Sequence, residues 1–221
     1  MAVPRPEKPD RRQRKRARTL DHIAQTAAAL FEALGYEPVT MEQIAAEADI
    51  ARRTLYNHFP VKEAVLAHWI HGQLAADLVL LGPAIAQQRT LGARLSHLLG
   101  ASADWCEAHR AYLPPYLRFR FTGNDDGGSD GMVGAFTLLI DEAQRTGELR
   151  GDLAPSHFAV LLHHLYFGAL MRWLADPGLT LRDEFAAALD LFFRGAARSP
   201  AQAAPAPRRA GHESSARGRL P

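Results

Sequence analysis

Residues 39–66 read VTMEQIAAEADIARRTLYNHFPVKEAVL, and the order of capping, apolar and cationic side chains in this stretch decides the fold. Thr40 is a helix N-cap residue type, and Gln43, three positions on, completes the pattern of a capping box. Met41, Ile44, Ala45 and Ala48 follow at helical spacing, which predicts a short helix over residues 41–48. Asp49-Ile50 breaks it, and a second short helix is expected over residues 51–58. Two short helices joined by a turn of three or four residues make a helix-turn-helix, a unit whose second helix can lie in a DNA major groove. Ala45 is small enough to let the helices approach, and Ile44, Ile50, Leu55 and Phe59 supply apolar anchors. Arg52, Arg53, Thr54, Tyr56, Asn57 and His58 remain for the outer side.

Upstream, Thr19 reads as an N-cap with Asp21 in the first turn, where the helix dipole favours an anion. Ile23, Ala27, Leu30, Phe31 and Leu34 form one apolar stripe, and Gly35 ends the helix as a C′ glycine. Residues 1–17 are rich in Pro, Arg and Lys and are expected to be a disordered basic arm. Within it, residues 11–18 hold six basic groups in eight positions, suited to following phosphates or entering a minor groove.

Downstream, Pro60 is expected to open a fourth helix that runs through Trp69 to about Leu80 and ends before Gly82-Pro83. Further helices are expected over residues 91–109, 112–121, 132–146, 155–175 and 181–198. Breaks fall at Pro114-Pro115, at residues 123–131, at 147–152 and at Asp176-Pro177-Gly178. No β-alternating run competes, so the chain is read as all-α. Residues 199–221, rich in Ala, Pro, Arg and Ser, are expected to be a disordered tail.

The 221 residues carry a net charge of +2, unevenly spread. Residues 1–62 hold 11 basic and 8 acidic groups, residues 63–193 hold 9 and 15, and residues 194–221 hold 6 and 1. A basic front beside an acidic middle suggests that one end meets a polyanion. No uninterrupted apolar run reaches the roughly 20 residues of a membrane span, and no apolar segment backs the basic N-terminus, so neither secretion nor membrane insertion is expected. A lone cysteine, Cys106, excludes an intramolecular disulfide and fits a reducing cytoplasm.

The stretch 39–66, the amphipathic helix before it ending in Phe31 and Gly35, and the all-helical remainder resemble TetR-family transcriptional regulators. The likeness is carried by residues 19–66, above all by Leu55-Tyr56-x-His58-Phe59-x-x-Lys62; the C-terminal half matches only in length and helix content. The resemblance implies a three-helix DNA-binding domain over residues 18–62 and a helical effector-binding and dimerisation domain over residues 63–198. It implies base reading by Arg52 and Arg53, with an arginine able to donate twice to guanine. Tyr56 matches a base or phosphate contact, Thr54, Asn57 and His58 match backbone-facing positions, Lys62 matches a phosphate contact, and Thr40 would lie near a phosphate. Where the family usually has Ala-Gly-Val in the turn, this chain has Ala48-Asp49-Ile50; aspartate tolerates the left-handed backbone better than most residues. Ala51 stands where serine is frequent, so a cap or phosphate contact is expected to be missing.

The same resemblance implies a cytoplasmic, ligand-responsive repressor that binds double-stranded DNA as a homodimer on a palindromic operator. An activator of the same family, or a helical interaction module using the helix-turn-helix as scaffold, are the alternatives. Residues 156–174 are apolar on more than one side and residues 181–193 carry a second stripe, which suits a four-helix subunit interface. Candidate pocket residues are Trp105, Tyr112, Tyr116, Phe119, Phe136, Ile140, His163 and Phe167. No catalytic set, metal site or cofactor motif is read. His68 and His71 stand at i, i+3 without a third ligand, and residues 124–130 resemble a calcium loop in composition but not in ligand spacing.

Overall fold

A computed structural model describes residues 11–122 and 130–194, and among these every regular element is helical. In chain order they are α1 (Arg11–Leu34), α2 (Met41–Glu47), α3 (Arg52–His58), α4 (Lys62–Ala86), α5 (Leu91–Ala108), a single 3-10 turn (Arg110–Tyr112), α6 (Leu113–Phe121), α7 (Asp130–Arg145), α8 (Pro155–Ala175) and α9 (Leu181–Arg194).

The capping box forms as the sequence requires. Gln43 N–H donates to Thr40 Oγ1 at 3.2 Å while Thr40 N–H donates to Gln43 Oε1 at 2.8 Å, fixing where α2 begins. Gly35 ends α1 at φ +84°, with its N–H on Phe31 O at 2.9 Å. Asp49 takes φ +52° in the turn between α2 and α3, the left-handed conformation that the sequence placed on it.

Several boundaries differ from expectation. α1 begins at Arg11, eight residues before Thr19, so residues 11–17 are helix rather than disordered arm; residues 1–10 lie outside the described residues. Arg, Lys and Gln are strong helix formers, and Thr19, now interior, donates its hydroxyl back to Lys15 O at 3.1 Å. Leu34, expected in the buried stripe, is 52% exposed, whereas Ala24, not expected there, is buried. Pro60 precedes α4, which starts at Lys62 with Val61 as cap. The same helix continues through Gly82-Pro83 to Ala86, its last turn anchored by buried Ile85. Pro114-Pro115 does not break a helix but occupies the first turn of α6, where the missing N–H is harmless. α8 has the expected bounds. The tail from 199 and most of the expected break at 123–131 fall outside the described residues.

Ile23, Ala27 and Phe31 of α1, Ile44 of α2, Leu55 of α3 and Leu66 of α4 are each at most 1% exposed, and they bind the first four helices into one core. Truncating any of the large ones to alanine would cost about 2–5 kcal/mol. α4 packs on α1 and also on α5, α6 and α7, while α8 lies against α7 and α9, and α9 against α5. One long helix thus belongs to both the front unit and the helical body. By length and composition α4 and α8 are each long and apolar enough to cross a bilayer, although neither contains an uninterrupted apolar run of that length. In the fold α8 buries Phe158, Leu162, Tyr166, Leu170 and Trp173 in the core, and α4 gives its apolar side to a cavity wall.

Candidate functional site

α3 is anchored in the core through one side. Leu55 is fully buried and Phe59, just after the last turn, sits with its ring 5.5 Å from that of His68 on α4. Ile50, in the turn, donates its N–H to Ala45 O at 3.0 Å and packs half-buried on the core. The outer side is left to Arg52, Arg53, Tyr56 and Asn57, all exposed, with Thr54 and His58 half-exposed at its edges. Arg52 and Tyr56, and likewise Arg53 and Asn57, stand four residues apart and so share a helix face. Tyr56 is tied back to α2, its hydroxyl donating to Glu42 Oε1 at 3.3 Å. Ala51 caps α3 without a side-chain hydrogen bond, as its methyl side chain dictates.

Six of the eight candidate DNA contacts therefore gather on one surface. Thr40 is exposed beside it at the start of α2, though its hydroxyl already serves the capping box. Lys62 is the exception. Its ammonium donates to Tyr36 O at 2.7 Å, Val39 O at 2.9 Å and Glu37 O at 3.1 Å, and lies 4.2 Å from the Tyr36 ring centre. All three donors of a lysine are then occupied, so Lys62 acts here as an internal strut between α4 and the α1–α2 connection rather than as an outward phosphate contact. Sequence spacing placed it correctly on α4 and could not reveal that three carbonyls converge there.

The basic run becomes a helical projection. Arg11, Arg12, Arg14, Lys15, Arg16 and Arg18 continue α1 beyond the core, with residues 11–18 all exposed.

A cavity of about 340 Å³ lies among α4, α5, α6, α7 and α8. Of the eight candidate pocket residues it is lined by Trp105, Tyr116, His163 and Phe167. The other four do not reach it. Phe119, Phe136 and Ile140 are buried in the core, and Tyr112 packs edge-on against Trp69 and tilted against Phe31. Lining residues that the sequence reading missed include Leu74 and Leu78 of α4, His71, Ser102, Arg120 and Tyr166. Only their meeting in space marks them; Leu74, Leu78 and Leu81 at helical spacing on an unusually apolar α4 were the available signal.

Burial favours the neutral form of three groups lining the cavity, His163, Tyr166 and Cys106, and the side chains of Asp77, Asp104 and Arg120 also border it. His163 is lowered to about 4 by burial, with Arg120 and His164 nearby adding to the effect. Tyr166 is pushed up by burial, and its hydroxyl shares a hydrogen bond of 2.9 Å with Ser102 Oγ. Burial likewise raises the Cys106 thiol to about 11. Neighbouring His164 is exposed and bonds Val160 O at 2.8 Å, so the two adjacent histidines face different surroundings as helical geometry demands. His68 pairs with Asp21 at 2.9 Å and His71 with Tyr116 Oη at 3.1 Å, so the i, i+3 histidines serve different partners. Among the described residues no group of three His, Cys, Asp or Glu side chains could hold a metal ion.

From the cavity a chain of ring contacts leads to the front unit. Trp105 lies 5.8 Å from Trp69, Trp69 lies 5.7 Å from Tyr112, Tyr112 lies 6.2 Å from Phe31, and Phe31 lies 5.0 Å from Tyr36 beside Lys62.

Comparison with known proteins agrees with this geometry. Residues 23–68 match the model of the bacterial regulatory proteins of the tetR family. The chain is 47% identical over 60 residues to the HTH-type transcriptional regulator TcmR of Streptomyces glaucescens, a match covering 27% of this chain and 26% of that one. It is 28% identical over 187 residues to MftR of Mycobacterium tuberculosis, a transcriptional regulator named for mycofactocin biosynthesis, covering 82% and 93% of the two chains. The crystal structure of Thermus thermophilus FadR, a TetR-family transcriptional repressor in complex with lauroyl-CoA, superposes with a TM-score of 0.68 at 25% identity, covering 87% of this chain and all of that one.

Proposed function

This chain belongs to the tetR family of bacterial transcriptional regulators, and from that premise we propose that it is a ligand-responsive repressor whose homodimer binds a palindromic operator. The observation that carries the reading is the one-sided mounting of α3, with Leu55 and Phe59 inward and Arg52, Arg53, Tyr56 and Asn57 outward. In this reading Arg52 and Arg53 donate to base edges, Tyr56 and Asn57 seat the helix, and Thr40, Thr54 and His58 lie toward the phosphates. Apolar side chains left exposed on α8 (Val160, Leu161, Met171) and α9 (Leu191, Phe193) favour pairing of these two helices with those of a second copy.

The effector proposed is a fatty-acyl compound. The cavity falls within the roughly 300–1,000 Å³ of small-molecule sites and joins largely apolar walls to a few hydrogen-bonding groups and to the ionisable side chains of Asp77, Asp104 and Arg120. The FadR of Thermus thermophilus, similar over nearly this whole chain, is the one crystallised with lauroyl-CoA. Binding would bias α4, which touches both cavity and front unit, between two arrangements of different DNA affinity.

The test is capture of genomic fragments by the purified protein, sequencing of what is bound, and titration of the recovered duplex with and without lauroyl-CoA. Wild type should select a two-fold symmetric site and release it on adding the thioester. The variant lacking both Arg52 and Arg53 side chains should keep its fold and lose selection; unchanged selection would refute the assignment of α3.

A further inference from the structure

We propose that the cavity and a neighbouring groove form one elongated binding space for a single linear acyl chain, with Leu78 as the movable partition that sets the accepted chain length; this rests on the acyl-effector reading above. A groove of about 540 Å³ lies between α4 and α7, more open than the cavity, and Leu78 and Leu98 belong to the walls of both. Leu98 is fixed in the core at 1% exposure. Leu78 is only half-buried on α4, and a leucine side chain there can move between staggered wells. The wall that the two spaces share therefore includes one half-buried side chain beside one fixed in the core.

Beyond Leu78 the groove is bordered by Ile85, Leu138 and Leu139, with Leu138 73% exposed. A hydrocarbon laid there would remove this apolar surface from water. The charges bordering the groove, Arg94 and Glu142, pair with each other at 2.9 Å, so the groove offers no net charge to a headgroup. Rotation of Leu78 would open a way wide enough for a flexible alkyl chain and too narrow for a ring system. A methylene fills about as much space as a water molecule, roughly 30 Å³, so the cavity alone suits a chain of about a dozen carbons and longer chains must pass Leu78.

The test measures binding of octanoyl, lauroyl, palmitoyl and stearoyl chains, each as free fatty acid and as CoA thioester, to the full chain and to Leu78→Trp, Leu78→Ala and Gly134→Leu. Gly134 borders only the groove, and a Cβ there meets nothing within 4 Å, so this variant fills the groove without disturbing the core. Gly134→Leu should weaken palmitoyl and stearoyl binding at least tenfold while leaving octanoyl and lauroyl within about twofold, Leu78→Trp should weaken the longer chains at least tenfold more than the shorter ones, and Leu78→Ala should favour the longer chains. The two sets of probes tell whether the headgroup matters; the chain-length pattern should hold in whichever set binds. Equal weakening at all lengths, or none at any length, overturns the partition while leaving the acyl effector standing. Failure of every probe to bind wild type overturns both.

Discussion

Lys62 holds Tyr36 twice, through the backbone carbonyl at 2.7 Å and through the ring face at 4.2 Å. With Glu37 O and Val39 O also accepting, the ammonium ties the start of α4 to the connection between α1 and α2. Burial, with Glu63 close by, pushes the Tyr36 hydroxyl upward, so the ring stays neutral beneath the cation. Lys62→Met should lower stability by about 2 kcal/mol, since charge-assisted hydrogen bonds and a cation–π contact are lost together. Lys62→Arg should restore little, because a planar fork does not match three converging carbonyls. Urea denaturation measures this. The salt slope of DNA binding should not change in either variant; a slope reduced by about one with stability intact would return Lys62 to the phosphates.

Asp49 stands at φ +52°, where an L side chain is strained. Asp49→Gly should stabilise the helix-turn-helix by up to about 1 kcal/mol and Asp49→Val should destabilise it by more than 1 kcal/mol. Asp49→Asn should be neutral. Thermal melts of the three variants decide; a stabilised valine variant would mean that the turn relaxes out of the left-handed region.

Short-range chemistry explains why the front of the molecule was legible. The capping box at Thr40, the glycine stop at Gly35 and the left-handed Asp49 are each set by residues within a few positions of one another. The cavity depends instead on which side chains α4, α5, α6, α7 and α8 bring together, and four of the eight aromatic and aliphatic candidates proved to be core or front-facing. Periodicity places a residue on the inner side of a helix without saying whether the opposite wall touches it. The mistaken ends of α1 and α4 have the same origin. An exposed basic helix carries no apolar stripe to announce it, and Gly82-Pro83 yields to the packing of Ile85.

His163 gives the helical body a pH dependence with a definite sign. Its value in the fold is lowered to about 4 by burial and by Arg120 and His164, against about 6.5 in the unfolded chain. The unfolded state therefore binds the proton first, and stability falls as the pH drops from about 7 towards 4. Discounted for its partial exposure, the loss from this one group is about 2 kcal/mol. His163→Phe should flatten that part of the stability profile and leave stability at pH 8 nearly unchanged. Denaturant midpoints measured between pH 8 and 4.5 provide the check; an equally steep fall in the variant would assign the acid sensitivity to other groups.

Trp69 stands between the cavity-lining Trp105 at 5.8 Å and Tyr112 at 5.7 Å, and Tyr112 in turn meets Phe31 of α1. Transmission through these rings is measured by the coupling free energy between operator and effector. Trp69→Leu keeps an apolar side chain but removes three ring contacts, with Trp105, His109 and Tyr112. If the rings transmit the cavity's state, the variant should bind operator without effector, and effector without operator, nearly as wild type does. The factor by which effector weakens operator binding should shrink by roughly fivefold, about 1 kcal/mol of coupling. Linkage requires the same loss to appear in how operator weakens effector binding, so the two titrations check each other. A Tyr112→Leu variant should give the same loss, and the double variant little more, because both interrupt one series of contacts. Full additivity of the two losses would mean that ring contacts act independently and that α4 moves as a rigid rod without them.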